Sequence, residues 1–131
     1  MRVGLLLVTH ERIGDELLGA ATAILGHCPL RANCLSVSRA EEPAAIVARG
    51  AGRLAGLDQG AGVLLLTDAF GSTPSNVAVQ LAQAHELAVV TGVNLPMLLR
   101  VLNYPDLPLE ELRRKALSGG LDGIVLVEHR Q

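Results

Sequence analysis

The chain has 131 residues, is 50% hydrophobic and carries a formal net charge of -2, which suits one domain (residues 1–131) that needs no disulfide. The weak negative charge, with one Phe and one Tyr, argues against a nucleic-acid partner, which requires a basic surface and aromatic rings for stacking. Apolar runs are far shorter than the roughly 20 residues of a membrane-spanning helix, and no signal-peptide pattern precedes the first strand, so we expect a soluble cytoplasmic protein.

Short aliphatic runs alternate with helical patterns along the chain. This alternation predicts βαβ units, with parallel strands that are buried on both faces. The predicted elements are, in chain order, a strand over residues 2–8, a helix over 13–25, a strand over 32–37, a helix over 42–57, a strand over 62–67, a helix over 74–84, a strand over 87–91, a short helix over 95–102, a helix over 109–117 and a last strand over 124–127.

Helical spacing also predicts which face of the first helix is buried. Apolar side chains recur at Ile13, Leu17, Ala20, Ala21 and Ile24, so we expect this face to pack on the sheet. The two cysteines of the chain lie beyond this helix with no matching second pair. We therefore expect reduced, buried thiols rather than a disulfide or a metal site.

The order of the predicted strands indicates where a ligand binds. Right-handed crossovers from a central first strand predict a doubly wound α/β three-layer sandwich, mostly parallel, with strand order 2-1-3-4 and the short C-terminal strand antiparallel at the edge. In open sheets of this kind, ligands bind at the carboxyl ends of the strands that flank the reversal of strand order. Those strands, the first and the third, run into His10 and Asp68. Topology and side-chain chemistry therefore indicate the same crevice.

The loop after the third strand has the pattern of an anion site at a helix start. Thr73 suits the N-cap of the next helix, and Pro74 suits its first position. Free N–H groups of Gly71, Ser72 and the first helical turn are then expected to face an anion, aided by the helix dipole. We predict that Thr9, Gly71, Ser72 and Thr73 bind a phosphoryl group.

His10 and Asp68 form the pair that we expect to carry the chemistry. A carboxylate that accepts the Nδ1 proton of an imidazole fixes the tautomer, frees Nε2 and stabilises the cation formed when Nε2 is phosphorylated. Attack on an activated phosphoryl donor depends mainly on positioning and on N–H groups around the phosphoryl oxygens. The sequence has no Walker loop, no acidic cluster for magnesium and no histidine pair spaced for zinc, so we expect no metal and no cofactor.

Three motifs, in order along the chain, carry a resemblance to a known family. They are Val8-Thr9-His10, the segment Asp-Ala-Phe-Gly-Ser-Thr-Pro-Ser-Asn over residues 68–76, and the segment Gly-Val-Asn-Leu-Pro-Met-Leu over residues 92–98. Together they resemble the mannose-family enzyme IIA, a cytoplasmic phosphocarrier of the bacterial phosphoenolpyruvate-dependent sugar phosphotransferase system (PTS).

The resemblance implies a function, partners and site residues. His10 would receive a phosphoryl group on Nε2 from phospho-HPr and pass it to an enzyme IIB, with Asp68 orienting the imidazole. Thr73 matches the family hydroxyl near the phosphate, and Asn94 belongs to the loop that supports the site. The resemblance also implies a homodimer with the last strand exchanged or packed near the partner, and an indirect membrane association through the permease complex. Because the chain ends at Gln131, the enzyme IIB is expected on a separate polypeptide.

Some alternatives stay open at this point. Glu11 stands where family members commonly carry glycine, which bears on partner choice and on rate. A non-catalytic flavodoxin-like module would bind a phosphorylated ligand at the same crevice without accepting a covalent group. A serine hydrolase is disfavoured because Gly-x-Ser-x-Gly is absent, and a receiver domain because no acidic pair follows the first strand. Sugar uptake and a purely regulatory phosphorelay both remain compatible with the sequence.

Overall fold

A computed structural model describes residues 1–129 and shows the expected alternation of strands and helices. The strands are β1 (Gly4–His10), β2 (Ala32–Val37), β3 (Val63–Thr67) and β4 (Val89–Thr91). The helices are α1 (Ile13–Leu25), α2 (Pro43–Leu57), α3 (Thr73–Ala84), α4 (Leu95–Leu102) and α5 (Leu109–Asp122). Among these helices, none combines the length and the apolar character that crossing a membrane requires.

The strands form one parallel sheet in the order β2-β1-β3-β4, which confirms the predicted order. β1 lies at the centre, where Leu7 pairs with Cys34 of β2 on one side and with Leu66 of β3 on the other. All of β1 except His10 is buried, because a central parallel strand is covered by helices on both faces. This arrangement brings the carboxyl ends of β1, β2 and β3 to one edge of the sheet.

Alternating side chains divide the core into two layers, one on each face of the sheet. Leu5 and Leu7 of β1 belong to the layer that contains residues of α1, α4 and α5. Leu6 and Val8 belong to the layer that contains residues of α2 and α3. Because successive strand residues point to opposite faces, His10 shares the α2 and α3 face with Val8.

The predicted C-terminal strand is the main difference between the sequence prediction and the structure. Residues 124–127 have no regular secondary structure, and α5 continues to Asp122 instead of ending near residue 117. A Cβ on Gly119 would lie 2.6 Å from the Cβ of Arg100, so this glycine lets α5 pack closely on α4. The predicted end of α5 was wrong because a glycine required for helix packing has the same appearance in sequence as a glycine that ends a helix.

The other element boundaries agree with the prediction to within two residues. β1 runs from Gly4 to His10 rather than over residues 2–8, so the histidine is part of the strand. Both cysteines are free and half-buried. Burial raises the pKa of the Cys34 thiol to about 11, with a further upward contribution from Asp15, so little reactive thiolate forms.

The buried face of α1 is only partly the predicted one. Ile13, Ala20 and Ile24 are exposed, whereas Gly14 is buried. A Cβ on Gly14 would lie 3.1 Å from Oγ1 of Thr9, so the helix meets the sheet through a glycine. Two isoleucines of the predicted apolar face, Ile13 at the start of α1 and Ile24 near its end, therefore remain exposed.

Gly4 gives a test of the close packing between β1 and α2. A Cβ at this position would lie 2.6 Å from the carbonyl oxygen of Leu57, a backbone atom that cannot rotate away. We expect Gly4→Ala to lower the free energy of unfolding by about 1–3 kcal/mol, as overpacked cores do. Urea denaturation of the variant and of the unsubstituted protein measures this difference.

Gly19→Ala is the matched control for this experiment. Gly19 lies in α1, and a Cβ there would meet nothing within 4 Å. Because alanine is the better helix former, we expect a gain of about 0.5–1 kcal/mol. Similar effects from the two substitutions would contradict the close approach at Gly4.

Candidate active site

His10 and Asp68 meet at the carboxyl ends of the two central strands. His10 is the last residue of β1, and Asp68 directly follows Thr67, the last residue of β3. Val8 pairs with Thr67, so both strands finish at the same level of the sheet. The structure thus brings together the two residues that the sequence placed across one crevice.

A single carboxylate oxygen binds both the backbone and the ring of the histidine. Oδ2 of Asp68 accepts a hydrogen bond from the His10 backbone N–H at 3.0 Å and lies 2.8 Å from Nδ1 of the ring. Oδ1 accepts from the backbone N–H of Ala69 at 3.1 Å. Because an ionised carboxylate only accepts hydrogen bonds, Nδ1 carries the ring proton and Nε2 carries the free lone pair.

The electrostatics of the pair keep Asp68 ionised. Burial raises the pKa of Asp68, but hydrogen bonds from the His10 ring and backbone outweigh this effect and hold the pKa below its ordinary value. A pKa lowered by folding means that this contact stabilises the fold fully above the unfolded pKa, and that the stabilisation disappears as pH falls through the folded value. The Asp68 side chain is 11% exposed and that of His10 is 47% exposed, so the charge is sheltered while the ring stays accessible.

Helix α3 begins one residue earlier than predicted. Its N-cap is Ser72, whose Oγ accepts from the Ser75 N–H at 3.5 Å and donates to the carbonyl of Ala69 at 2.6 Å. Thr73 is therefore the first helical residue rather than the cap. The change leaves the Thr73 side chain exposed, since it has no capping contact to make.

The backbone N–H groups that the sequence predicts to bind an anion are not equally free to donate a hydrogen bond. The Gly71 N–H donates to Oγ of Ser75 at 3.3 Å, and the Ser72 N–H donates to the carbonyl of Ala69 at 3.3 Å. Gly71 has a φ of 82°, a left-handed conformation that turns the loop back toward α3. Within residues 1–129, the Thr73 N–H and hydroxyl make no hydrogen bond, and Thr73 lines the same crevice as His10. Thr73 is therefore a donor of this loop that is available to a ligand in the crevice.

Thr9 does not join the crevice. Its side chain is on the opposite face of the sheet from His10, because neighbouring strand residues alternate. The residue is 1% exposed, and its Oγ1 accepts a hydrogen bond at 2.8 Å from the N–H of Gly14 in the first turn of α1. The structure thus corrects the prediction that Thr9 contacts a phosphoryl group, since its hydroxyl anchors α1 instead.

Asn94 lies outside the residues that line the crevice, in the loop after β4. It is the N-cap of α4, and its Oδ1 accepts from the Met97 N–H at 2.9 Å. Its side-chain nitrogen donates to the carbonyl of Gly120 in α5 at 3.2 Å. These two bonds tie the loop after β4 to both helices, which is a structural role.

The crevice has a volume of about 750 Å³ and a second wall that the sequence analysis missed. Besides His10, Glu11, Thr73 and Pro74, it is lined by the end of β2 and the residues that follow, which are Val37, Ser38, Arg39, Glu41 and Pro43. The predicted strand order contained the signal for this wall, because it places the end of β2 beside that of β1. Val37 indeed pairs with His10.

Comparison with known proteins identifies the family. Residues 4–114 match the EIIA-man family model, described as the PTS system fructose IIA component. The mannose-specific EIIAB component of the PTS of Escherichia coli (strain K12) is 29% identical over 127 residues. That alignment covers 95% of this chain but 39% of the relative, so the chain spans about two fifths of the length of its curated relatives.

Solved structures agree with this assignment. The mannose/sorbose specific IIA subunit of the phosphotransferase system from Enterococcus faecalis superposes with a TM-score of 0.87 at 26% identity, covering 100% of this chain and 98% of that one. The phosphotransferase system component EIIA from Streptococcus agalactiae gives a TM-score of 0.83 at 22% identity, covering 94% and 95% of the two chains. At this level of identity, the structure from Streptococcus agalactiae supports the fold alone.

The contact between Asp68 and His10 predicts the tautomer of the ring. At an alkaline pH at which imidazoles are neutral, we expect His10 to carry its proton on Nδ1 and to lose that preference in Asp68→Ala. Long-range proton–nitrogen NMR correlations distinguish the two forms. His85, whose Nδ1 lies 2.9 Å from the carbonyl of Leu81, is an internal control that keeps its tautomer in both proteins. A His10 ring protonated mainly on Nε2 in the unsubstituted protein would contradict the geometry.

Proposed function

We propose that this chain, which belongs to the EIIA-man family, is a phosphocarrier of a bacterial sugar phosphotransferase system. In this proposal, His10 accepts a phosphoryl group from phospho-HPr and passes it to an enzyme IIB. The observation that carries the proposal is the 2.8 Å contact between Asp68 and Nδ1, which leaves Nε2 of an accessible ring as the nucleophile.

The proposed transfer balances without a proton transfer. The Nε2 lone pair forms a P–N bond as the P–N bond of the donor breaks, and the donor imidazole leaves with the electron pair. The proton on Nδ1 stays in place, so the phosphorylated ring is a cation next to the Asp68 carboxylate. Transfer to the enzyme IIB is the same exchange in the other direction. Because the group arrives already activated, the proposal invokes no metal and no cofactor.

The start of α3 would hold the phosphoryl oxygens during transfer. The transition state is loose and spreads negative charge over three equatorial oxygens, so donors that are already in position lower the barrier. Thr73 supplies a backbone N–H and a hydroxyl at the positive end of the helix dipole. Gly71 and Ser72 shape this loop, and their 3.3 Å bonds are long enough for a bound phosphoryl oxygen to compete for the same N–H groups.

The proposed partners follow from the family and from the names of relatives. Phospho-HPr is the donor, and an enzyme IIB is the acceptor, as the combined A and B name of the Escherichia coli relative suggests. We place the relay in the cytoplasm, with an indirect membrane association through the permease complex. The mannose-specific name of that relative points to a mannose-type sugar or to regulation linked to its uptake.

We also propose a homodimer that uses the C-terminal segment. Residues 124–127 follow α5 as four consecutive apolar side chains that are 69% to 82% exposed. Such a patch is unfavourable in water, and the edge strand β4 offers backbone groups that another strand can pair with. Symmetric exchange of the segment between two copies would bury the apolar patch and pair the backbone groups of β4.

Labelling of His10 tests the phosphocarrier proposal. We expect the protein, incubated with phosphoenolpyruvate, enzyme I and HPr, to gain one acid-labile phosphoryl group that is absent from His10→Ala. His85→Ala is the matched control and should label normally, since His85 lies at the end of α3. We expect Asp68→Ala to label about tenfold more slowly or worse, because it removes orientation and charge but leaves the nucleophile.

The binding-only alternative gives a different result in the same experiment. A flavodoxin-like module would bind inorganic phosphate or a phosphorylated ligand at this crevice and remain unlabelled with every donor. Absence of covalent phosphate, or labelling that persists in His10→Ala, would contradict the phosphocarrier proposal.

Light scattering after size-exclusion chromatography tests the dimer. We expect the unsubstituted protein to elute with twice the mass of one chain and Leu126→Lys to shift toward a monomer, because the charge opposes burial of the segment. Ile24→Lys is the matched control, since Ile24 is 60% exposed but lies on α1. A monomer throughout the concentration range, or the same shift in both variants, would contradict the exchange of the C-terminal segment.

A further inference from the structure

The second wall of the crevice brings a cation to the side of His10 that is opposite Asp68. β1 lies between β2 and β3, so the residues after β2 flank the histidine from one side and Asp68 flanks it from the other. The Glu11 N–H donates to the carbonyl of Val37 at 3.1 Å, which joins the ends of β1 and β2. Arg39, two residues beyond Val37, lines the crevice together with His10.

The guanidinium of Arg39 is available for a ligand. In the part of the chain that the structure describes, Arg39 makes no hydrogen bond and no ion pair. The neighbouring carboxylate of Glu41 is already engaged, because it pairs with Arg49 and accepts a hydrogen bond from the Ser38 hydroxyl at 3.5 Å. Arg39 therefore lines the crevice without a competing partner on its own loop.

Glu11 adds the opposite charge at the same place. It lines the crevice, and it has a φ of 45°, in the left-handed region that side chains other than glycine seldom occupy. Among residues 1–129, its carboxylate forms no ion pair. Together with Asp68, it puts two negative charges near His10, and an incoming phosphoryl group adds about two more. Like charges around one crevice oppose binding unless a cation offsets them.

We propose that Arg39 is a ligand of the transferring phosphoryl group, and that Glu11 opposes it and limits how tightly the group is held. This inference rests on the proposed function. A guanidinium binds two phosphoryl oxygens at once and so matches the charge spread of the transition state. The site then holds the group between Thr73 of α3 on one side and Arg39 on the other.

The test compares a small phosphoryl donor with the protein donor. The probes are phosphoramidate and phospho-HPr, and the rate of His10 labelling is measured with each. We expect Arg39→Gln to slow labelling about tenfold or more with both donors, because a charge-assisted contact to the phosphoryl oxygens is lost. Glu11→Gln should speed labelling severalfold with both, because a repulsive charge is removed, and Arg39→Lys should fall between Arg39→Gln and the unsubstituted protein.

Arg31→Gln is the matched control. Arg31 is also exposed, and its replacement by glutamine changes the net charge by the same amount as Arg39→Gln. It lies just before the start of β2, at the opposite end of that strand from Arg39. We expect this variant to label at the unsubstituted rate with both donors. Circular dichroism of all variants checks that the fold is retained.

The outcomes separate this inference from the proposed function. If the unsubstituted protein labels on His10 but Arg39→Gln labels equally fast, Arg39 is not a ligand and the phosphocarrier proposal stands. A loss with phospho-HPr alone would show that Arg39 contacts the donor protein, which also overturns the inference. If the unsubstituted protein does not label with either donor, both proposals are wrong.

Discussion

The hydrogen bonds from His10 to one oxygen of Asp68 are the interaction on which the rest of the site depends. The two residues are 58 positions apart in the chain, and they meet because β3 pairs directly with β1. The same oxygen holds the His10 backbone and ring, so the end of β1 and the orientation of the imidazole are set together. Sheet topology thus determines which ring nitrogen is left with a lone pair.

The last two side chains of β1 have different roles, because one holds a helix in place and the other lies in the candidate active site. Thr9 points to the α1 face and binds the first turn of that helix through the Gly14 N–H, while His10 points to the α2 and α3 face. Gly14 favours this arrangement, since a Cβ there would lie 3.1 Å from Oγ1 of Thr9 and would press on its side chain. The histidine can therefore be exposed without loosening the strand, because its neighbour in the chain is fully buried and hydrogen-bonded.

Sequence patterns predicted those features that depend on local periodicity and on general rules of topology. Strand order, the meeting of His10 with Asp68 and the start of α3 near Thr73 follow from buried apolar runs and from right-handed crossovers. The end of α5 was not predictable in this way, because Gly119 is a packing residue against Arg100. The choice of cap was also not predicted correctly, because Ser72 and Thr73 are both favourable N-cap residues and the sequence pattern alone does not distinguish them.

The charges of the crevice suit a carrier that must release what it accepts. In the proposed relay, the ionised Asp68 stabilises the cationic phosphohistidine and so favours the loaded state. Glu11 repels the phosphoryl group itself and so favours the empty state, and Arg39 offsets part of that repulsion. Because the contributions of Asp68 and Glu11 to the free energy of the loaded state have opposite signs, the site can position the phosphoryl group firmly without binding it too tightly. A glycine in place of Glu11 would relieve the left-handed backbone but would remove one of the opposing charges.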